Sequence, residues 1–234
     1  MAEPEKFAKY NLFDPFVSCP QGEPLQRMGG RTDDPQFDQD GGKWLCMGLL
    51  TPPCTIFSLG SQGDFTFEES MLNNTECIIH TFDCTYAGRS IHPRHQYHQL
   101  CLGSPEKAEK DPKFISLEGA IAQNKIDKIN LLKIDIEGFE YDVLSVWRQM
   151  EAALPEMVAI EIHHSEVVYW GTTWNKADDF SNLLWPMHNP TQSDLSLFFS
   201  HLGGLGYGIV SREDNPLGSC CSEFTLLRVG EWKT

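Results

Sequence analysis

The sequence is short of basic residues. Its 234 residues include 18 Lys and Arg against 33 Asp and Glu, which gives a formal net charge of −15. Affinity for nucleic acids depends largely on Lys and Arg side chains that neutralise phosphates. The composition therefore argues against a nucleic-acid partner, and a neutral or cationic small substrate fits the charge better than a polyanion.

Long apolar runs are also missing. No stretch approaches the roughly 20 apolar residues that a membrane helix needs. The first residues, MAEPEKFAKYNLF, lack the basic start and the apolar centre of a signal peptide. We therefore expect a cytoplasmic chain without a membrane segment, although a fragment of a secreted or Golgi-anchored protein would look the same.

The eight cysteines show no CxxC and no paired ligand spacing. This argues against a structural zinc site and against a small disulfide scaffold, and it favours a reducing compartment. Three features remain open. Cys46 and Cys54 could pair across the turn at Pro52-Pro53, vicinal Cys220-Cys221 could form a strained disulfide or a redox switch, and Asn73-Asn74-Thr75 is a glycosylation sequon of a kind that often arises by chance.

Apolar runs alternate with helical patterns from Trp44 onward. The strand-like runs cover 55–60, 77–83, 97–104, 131–137 and 158–164, and helical spacing appears in 64–72, 114–126, 139–150 and 194–207. This alternation predicts an open parallel sheet with helices on both faces. The last two runs, 208–214 and 223–229, follow each other without a helix and predict one antiparallel strand at an edge. We expect an irregular arm over 1–43 and one domain over 44–234, with an insertion at about 165–193.

Polar residues stand where the predicted strands end. In LLKIDIEGFEYDVL (131–144) a short apolar run ends in Asp135, Glu137 and Glu140. Burying a neutral polar group without a hydrogen bond costs about 2–7 kcal/mol, and burying an unpaired charge costs more. A core strand therefore has no use for these acids, and they either cap the next helix or take part in chemistry. Ligands of open α/β sheets bind at the carboxyl ends of the strands, and we expect the acids to lie on that edge.

A glycine turn is followed by an acid about 20 residues later, a spacing typical of proteins that bind a nucleoside. SLGSQGDF (58–65) combines a strand end, a glycine turn and a helix start, and Asp83 ends the next strand 20 residues after Gly63. An acid at that strand end can accept both ribose hydroxyls. The pattern is G-x-x-G rather than G-x-G-x-x-G, and no phosphate-binding lysine follows. An ordinary tight turn with a helix-capping Asp is the alternative.

These residues resemble a known family. KIDIEGFEYDVL is similar to the K-[IV]-D-[IV]-E-G-x-E-x-x-[VL]-L signature of FkbM-type methyltransferases, and DGGKWLC (40–46), CTIFSLGSQGDFTFEE (54–69) and CIIHTFD (77–83) resemble the methyltransferase-like branch found in many eukaryotes. The similarity runs from about Gly29 to about Leu227. Ser58 and the single Gly60 depart from the acid and glycines usual in methyltransferase motif I. The resemblance implies a Rossmann-like class I fold, an α/β fold whose mostly parallel seven-stranded sheet has one antiparallel edge strand.

The resemblance also implies S-adenosylmethionine as methyl donor and suggests the residues around it. These cofactor-binding candidates are Gly60, Ser61 and Gly63 under the methionine part, Asp83 on the ribose, Gly103 and Ser104 near the adenine, and Lys43 and Trp44 at the end of the arm. A sulfonium donor carries no phosphate, so a strongly acidic chain without a phosphate loop suits it.

The catalytic candidates follow two neighbouring predicted strands. In one interpretation Asp135 or His163 is a general base that removes the proton of an acceptor hydroxyl. In the other, Asp135, Glu137 and His163 hold a divalent cation, such as Mg²⁺, that acidifies the hydroxyl. Related sugar O-methyltransferases place a magnesium at this edge. We expect Glu140 to occupy the first turn of the following helix, where negative charge is favoured.

Other polar and aromatic residues lie in or after the same predicted strands. Glu161 is a further candidate whose direction the alternation leaves uncertain, and Lys133 is assigned no role. Aromatic faces suit a sugar ring or another flat acceptor. The substrate candidates from the long connection after the fifth strand are His164, Tyr169, Trp170 and Trp174. A lid that packs these aromatic residues onto the domain is the alternative.

The sequence thus predicts an S-adenosylmethionine-dependent O-methyltransferase that acts on a hydroxyl of a carbohydrate or another small molecule. A nicotinamide-dependent oxidoreductase is a second hypothesis, disfavoured by the missing third glycine and the lack of an obvious Tyr-x-x-x-Lys pair. A methyltransferase-like binding module without catalytic activity is a third.

Overall fold

The computed structural model describes residues 10–30, 41–145, 147, 154–163, 190–215 and 221–230. The strands in these residues are β1 (Gln26–Met28), β2 (Lys43–Leu45), β3 (Thr55–Leu59), β4 (Ile78–Phe82), β5 (His95–His98), β6 (Cys101–Leu102), β7 (Phe114–Ile115), β8 (Leu131–Ile134), β9 (Met157–His163), β10 (Tyr207–Asp214) and β11 (Cys221–Arg228). The helices are α1 (Thr66–Asn74), α2 (Pro105–Lys110), α3 (Leu117–Asn124), α4 (Glu140–Ser145) and α5 (Gln192–Gly204). Short 3-10 turns cover Pro20–Gly22 and Met47–Leu49.

Seven strands form the central sheet, in the order β10-β11-β9-β8-β3-β4-β5. The five strands from β9 to β5 are parallel, and β11 runs antiparallel to both of its neighbours. The predicted seven-stranded, mostly parallel sheet is confirmed. We expected the antiparallel strand at the edge of the sheet, but β11 lies one position inside it. Six of the eight residues of β11 are buried, which suits an interior position, whereas the second half of β10 is half-exposed, as an edge strand allows.

One predicted strand is split in two. The sequence predicts a single strand over 97–104, but β5 belongs to the central sheet and β6 pairs with β7 in a separate two-stranded sheet. The backbone amide of Leu100 donates to the carbonyl of His98. This tight turn redirects the chain between β5 and β6, within a run that looks continuous in sequence.

Local capping explains where three helices begin. The Ser104 and Ser116 hydroxyls accept hydrogen bonds from backbone amides in the first turns of α2 and α3, and Pro105 occupies the first position of α2. Thr191 and Asp194 form a reciprocal capping box at the start of α5. These caps satisfy amides that the helices themselves leave unpaired.

Hydrophobic clusters cover both faces of the sheet. On one face, apolar residues of β3, β8 and β9 pack with α3, α4 and α5. On the other face, the alternate residues pack with α1 and with the segment around β1 and β2. None of the helices in the described residues is long and apolar enough to cross a membrane.

The segment before residue 44 contacts the sheet at several points. Tyr10 is fully buried and its hydroxyl donates to the carbonyl of Ile162 at 2.7 Å, and β1 pairs with β2. The division of the chain at residue 44 stays a prediction. The insertion expected at 165–193 lies outside the described residues up to residue 189.

The cysteines are paired, against our expectation of reduced thiols. Disulfides join Cys19 to Cys46, Cys54 to Cys77, and Cys84 to Cys101, and Cys221 is also disulfide-bonded. The suggested pairing of Cys46 with Cys54 is wrong. Cys54 and Cys77 immediately precede the neighbouring strands β3 and β4, so the register of the sheet brings them together. Partners 17 to 27 residues apart give no recognisable spacing in sequence. Cys220 lies outside the described residues.

Candidate active site

Several polar strand ends meet at one edge of the sheet. The strands β3, β4, β8 and β9 are parallel, so their carboxyl ends lie on the same side. The antiparallel β11 begins at this side, where its first residues pair with the last residues of β9: Cys221 with His163, and Glu223 with Glu161. The edge therefore also receives Glu223, a residue that the sequence analysis did not identify.

The glycine turn, residues 60–63, follows β3 and contacts the end of β8. Gly60 has a φ of +78°, and a Cβ on it would lie 1.8 Å from the carbonyl oxygen of Asp135. Gly63 has a φ of +83°, and a Cβ there would meet the ring of Tyr86 at 2.6 Å. Only glycine fits at either position. The candidate donor site and the candidate catalytic acid are therefore neighbours.

The carboxylate of Asp83 is bonded to the glycine turn. Its Oδ2 accepts from the amide of Ser61 at 2.9 Å, the amide of Gln62 at 2.6 Å and the Ser61 hydroxyl at 3.1 Å, and its Oδ1 accepts from the amide and hydroxyl of Thr85. Burial opposes ionisation of this carboxyl, but the hydrogen bonds from Thr85, Ser61 and Gln62 lower its pKa below the usual value. Asp83 thus lies beside the turn, and its oxygens already accept hydrogen bonds from the protein.

Lys133 supports the turn from the opposite side. Its ammonium donates to the carbonyls of Leu59, at 3.3 Å, and Gly60. In the sheet register Lys133 is paired with Ser58, whose buried hydroxyl has no hydrogen-bond partner in the described part of the chain. The sequence assigned Lys133 no role, because the carbonyls that it binds, at the end of β3 and in the glycine turn, lie more than 70 residues earlier.

Gly103 and Ser104 lie near the end of β4 through a covalent link. Cys84 follows Asp83 directly, and its disulfide to Cys101 holds the two Cα atoms 4.9 Å apart. The Ser104 amide donates to Asp142 Oδ2 at 3.3 Å, and its hydroxyl caps α2. The structure therefore brings this predicted adenine-side segment to the same edge as Asp83.

A group of charged side chains, which we call the ionic cluster, surrounds the ends of β8 and β9. Its members are Lys43, Lys133, Asp135, Glu137, Glu140, Glu161, His163 and Glu223. Five carboxylates thus face three groups that can be cationic. Five of the eight residues are buried, so water relieves only part of the imbalance.

Lys43, a cofactor-binding candidate of the sequence analysis, belongs to the ionic cluster in the structure. Its side chain is buried, and its ammonium binds Glu223 Oε1 and lies 3.4 Å from Asp135 Oδ2. Burial opposes the charge, but Glu223, Asp135 and Glu161 hold the pKa of Lys43 above its usual value. Trp44, the adjacent candidate, places its ring 5.8 Å from the guanidinium of Arg27.

Asp135 stays ionised in this setting. Burial alone would raise the pKa of its carboxyl, but the charges of Lys43, Lys133 and His163 lower it well below the usual range. A carboxylate held in this state is a good ligand for a cation and a weak proton acceptor.

His163 is buried among carboxylates. Its Nδ1 lies 2.9 Å from Glu140 Oε1, and its Nε2 lies 3.5 Å from both Glu137 Oε2 and Glu161 Oε2. Burial opposes protonation, but Glu140, Glu161 and Glu137 raise the pKa of the imidazole well above its usual value. The general-base interpretation assumed an ordinary pKa, and this premise is wrong for the cluster as the structure shows it.

Glu140 is a site residue that the sequence analysis missed. It occupies the first turn of α4, as predicted, and is fully buried. Its Oε1 accepts from the Ile136 amide at 3.1 Å besides contacting His163, while its Oε2 has no partner in the described residues. Its three-residue spacing from Glu137 in EGFE was visible in sequence, but its contact with β9 was not.

Glu137 has a strained backbone. Its φ is +54°, in the left-handed region, and Gly138 follows with a φ of +100°. For a residue other than glycine this conformation costs roughly 1–2 kcal/mol, and such strain often accompanies functional sites. The turn directs the Glu137 carboxylate, whose side chain is 44% exposed, toward His163.

Three sets of ligand atoms lie close enough to hold a metal ion, with all atoms of a set within 4.8 Å of one another. One is the predicted set of Asp135, Glu137 and His163. In the set of Asp135, Glu161 and Glu223, the ammonium of Lys43 already contacts two of the three carboxylates. The third set needs the sulfur of Cys221, which is disulfide-bonded. The predicted set contains no disulfide sulfur, and Lys43 contacts one of its three ligands.

The substrate candidates His164, Tyr169, Trp170 and Trp174 lie outside the described residues.

The family model of a methyltransferase domain matches residues 2–228. The chain belongs to this methyltransferase family. It is an S-adenosylmethionine-dependent methyltransferase, and this decides against the nicotinamide-dependent oxidoreductase. No curated protein is detectably similar to it in sequence.

Solved structures with a similar fold share little sequence with this chain. A 16S rRNA (adenine(1408)-N(1))-methyltransferase from Catenulisporales acidiphilia is 12% identical, with 90% of this chain and 100% of that chain covered and a TM-score of 0.40. The fibrillarin pre-rRNA processing protein of Methanococcus jannaschii is 11% identical, with 92% and 96% covered and a TM-score of 0.42. A mitomycin 7-O-methyltransferase is 10% identical, with 75% and 49% covered and a TM-score of 0.35.

The glycine turn of the methyltransferase fits its expected donor in one respect and differs in another. Two left-handed glycines, Gly60 and Gly63, leave the backbone bare at both ends of the turn, as a closely approaching ligand requires. The carboxylate of Asp83, in contrast, accepts five hydrogen bonds from Ser61, Gln62 and Thr85. A ribose hydroxyl must therefore replace some of these bonds if Asp83 is to bind it.

Proposed function

We propose that this methyltransferase transfers the methyl group of S-adenosylmethionine to a hydroxyl of a carbohydrate or another small molecule, with a divalent cation such as Mg²⁺ held by Asp135, Glu137 and His163. The proposal places the chain in the FkbM-like branch of the family. The observation that carries it is the contact between Gly60 and Asp135, which joins the candidate donor turn to the ionic cluster. Methyl transfer depends strongly on holding donor and acceptor together, and this contact makes the two sites neighbours.

The charges of the ionic cluster support a cation. A histidine binds a metal only in its neutral form, so with a metal bound the five carboxylates of the cluster face two lysines, and a divalent ion offsets two of the three excess negative charges. Burial and the neighbouring carboxylates raise the pKa values of Glu161 and Glu223, so part of the cluster takes up protons when no metal is bound. A bound divalent ion relieves most of the same imbalance without them.

The surroundings of His163 support the same assignment. A histidine that binds a metal through one ring nitrogen usually bonds a carboxylate or a carbonyl through the other. The Nδ1 of His163 has this partner in Glu140, and its Nε2 is directed toward Glu137. Two carboxylates suit Mg²⁺ or Mn²⁺, and the imidazole favours the softer Mn²⁺ of the two.

The residues of the chain then have separate tasks. A bound divalent ion supplies Lewis acidity, which lowers the pKa of a coordinated hydroxyl. Lys43 keeps Asp135 ionised and fixed in position, Glu140 orients His163, and Lys133 and Asp83 hold the glycine turn from its two sides. Proton removal by Asp135 or His163 alone is the second candidate, and the low pKa of Asp135 and the raised pKa of His163 speak against it.

The acceptor class rests on charge and on the nature of the site. The net charge of −15 disfavours a nucleic acid, and a cation that acidifies a hydroxyl suits a sugar or another hydroxylated metabolite. The aromatic residues at 169, 170 and 174, with His164, are proposed to contact that acceptor.

Calorimetry and a methylation assay test the proposal. We expect S-adenosylhomocysteine to bind and NAD not to bind. With labelled donor and a panel of glycans and small hydroxylated metabolites, we expect turnover that EDTA abolishes and Mg²⁺ or Mn²⁺ restores. Donor binding without turnover on any acceptor would favour the inactive binding module, and turnover that survives EDTA would contradict the metal.

A further inference from the structure

We propose that this protein matures in an oxidising, glycosylating compartment of the secretory pathway and carries an N-linked glycan on Asn73. Two independent features support this inference: the state of the cysteines and the position of the sequon. Neither is used in the methyl-transfer reaction, so the inference does not depend on the proposed function.

The first feature is the pairing of cysteines. All seven cysteines in the described residues are disulfide-bonded, and none is free. Protein disulfides persist in the endoplasmic reticulum and outside cells but are rare in the cytosol, where thiols are kept reduced. The pairs also link separate elements: Cys19–Cys46 joins the N-terminal arm to the end of β2, and Cys54–Cys77 joins the starts of β3 and β4. They are therefore integral to the fold.

The second feature is the place of the sequon. Asn73-Asn74-Thr75 is the single N-x-[ST] triplet in the sequence that lacks proline at its middle position, since Asn189-Pro190-Thr191 is excluded by its proline. Asn73 is exposed in the last turn of α1. A glycan on its side chain therefore extends into solvent without displacing any core residue.

The topology keeps this position away from the candidate active site. The glycine turn and Asp83 lie at the carboxyl ends of β3 and β4, and α1 runs back from there to the amino ends. Its nine residues span about 14 Å. A glycan at Asn73 thus leaves the ionic cluster and the turn accessible.

The local contacts fit modification before folding. In the folded chain the Thr75 hydroxyl donates to the Met71 carbonyl at 2.7 Å, and the guanidinium of Arg94 donates to the carbonyls of Leu72 and Thr75. The sequon is therefore accessible to a transferase only while the segment is extended. In the transfer, the bond from sugar C1 to the diphosphate of a lipid-linked oligosaccharide breaks, the amide nitrogen of Asn73 forms the new C1 bond and loses a proton, and the lipid diphosphate leaves.

The test uses the complete gene product, tagged at its C-terminus and recovered from eukaryotic cells. The wild type is compared with Asn73→Gln, which removes the acceptor, and with Asn74→Gln, which keeps the sequon. Intact mass is measured before and after peptide-N-glycosidase treatment, and free thiols are labelled in the denatured, unreduced chain. We expect the enzyme to remove mass from the wild type and from Asn74→Gln but not from Asn73→Gln, with no thiol labelled at the six cysteines of the three described pairs.

Each other outcome overturns the proposal. A wild-type chain whose mass the glycosidase leaves unchanged carries no N-glycan at Asn73, and labelled thiols in the same chain show a reducing compartment. A mass loss that persists in Asn73→Gln assigns the glycan elsewhere. Asn73 and Asn74 are both exposed, so we expect the two variants to have equal thermal stability. Equal stability excludes a folding defect as the cause of a difference in their glycosylation.

Discussion

The imidazole Nδ1 of His163 lies 2.9 Å from the carboxylate Oε1 of Glu140. This contact joins the last residue of β9 to the first turn of α4. It fixes the imidazole so that Nε2 is directed toward Glu137 and Glu161. The ionic cluster is thereby prearranged for a ligand instead of being a loose set of surface charges.

Replacement of Glu137 by Gln tests the cation site directly. At a Mg²⁺ or Mn²⁺ concentration 100-fold above Kd, a bound ion stabilises the fold by about 2.7 kcal/mol, which corresponds to a rise in Tm of roughly 5–10 °C for a chain of this size. We expect this rise in the wild type and a much smaller one in Glu137→Gln, measured by differential scanning calorimetry.

The control for this experiment is Glu118→Gln, an exposed acid in the first turn of α3. It removes the same charge far from the cluster and should keep the full metal-dependent shift. An equal shift in Glu137→Gln would remove Glu137 from the proposed ligand set.

Replacement of Lys133 by Met should weaken donor binding. The variant loses the ammonium that holds the Leu59 and Gly60 carbonyls, and hydrogen bonds to charged groups contribute about 1.5–3 kcal/mol. We expect the Kd of S-adenosylhomocysteine to rise roughly 10- to 100-fold by isothermal titration calorimetry. Lys128→Met, which removes an exposed lysine paired with Glu156, should leave this Kd unchanged. Equal affinities in the wild type and Lys133→Met would show that Lys133 does not support the turn.

Gly60→Ala should disrupt the contact between the turn and β8. The new Cβ would lie 1.8 Å from the Asp135 carbonyl at a φ of +78°, so the backbone of one strand end must move. We expect a loss of more than about 2 kcal/mol in the free energy of unfolding, from the left-handed φ and the clash together, and a loss of donor binding. In Gly203→Ala, where nothing lies within 4 Å of the new Cβ, stability should rise slightly or stay the same. A stable Gly60→Ala protein with normal donor affinity would contradict the described turn.

Acid should destabilise the β4–β5 edge of the sheet. Burial, with the neighbouring His98 and His95, lowers the pKa of His80 to about 4, and burial beside His92 lowers the pKa of His95 to about 4. The unfolded chain therefore binds these protons more readily than the folded chain. The corresponding stability is fully present above about pH 6.5 and is lost as the pH falls toward 4, by about 1.4 kcal/mol per unit of pKa difference for each histidine.

Urea unfolding at pH 7.5 and pH 5.0 measures this effect. His80→Phe should show a smaller difference between the two pH values than the wild type, because the variant lacks one of the two groups with a lowered pKa. An unchanged pH dependence in His80→Phe would show that His80 is not the source.

Local patterns in the sequence were sufficient to predict most of the central sheet. Apolar runs that end in polar residues predicted the parallel strands, and a parallel sheet necessarily brings ends such as Asp83, Asp135 and His163 to one edge. The inner position of β11 was not predictable from its neighbour in sequence, since pairing with β9 depends on contacts about 60 residues apart.

The roles of Lys133 and Glu140 were not predicted for the same reason, since they depend on contacts between elements that are distant in sequence. Lys133 and Glu140 were visible as charged residues, but their partners, the Gly60 carbonyl and His163, lie on other elements. The cysteine pairs likewise follow from the register of β3 with β4 and not from spacing. The ordinary pKa assumed for His163 was wrong because three carboxylates surround it only after folding.

A crystal structure with S-adenosylhomocysteine and Mn²⁺, with anomalous scattering to locate the metal, tests the central claim most directly. The account predicts the nucleoside against residues 60–63 and 83 and a manganese peak among the Asp135, Glu137 and His163 side chains. A nucleoside bound elsewhere would contradict the account, as would a donor complex at millimolar Mn²⁺ with no metal among these three residues.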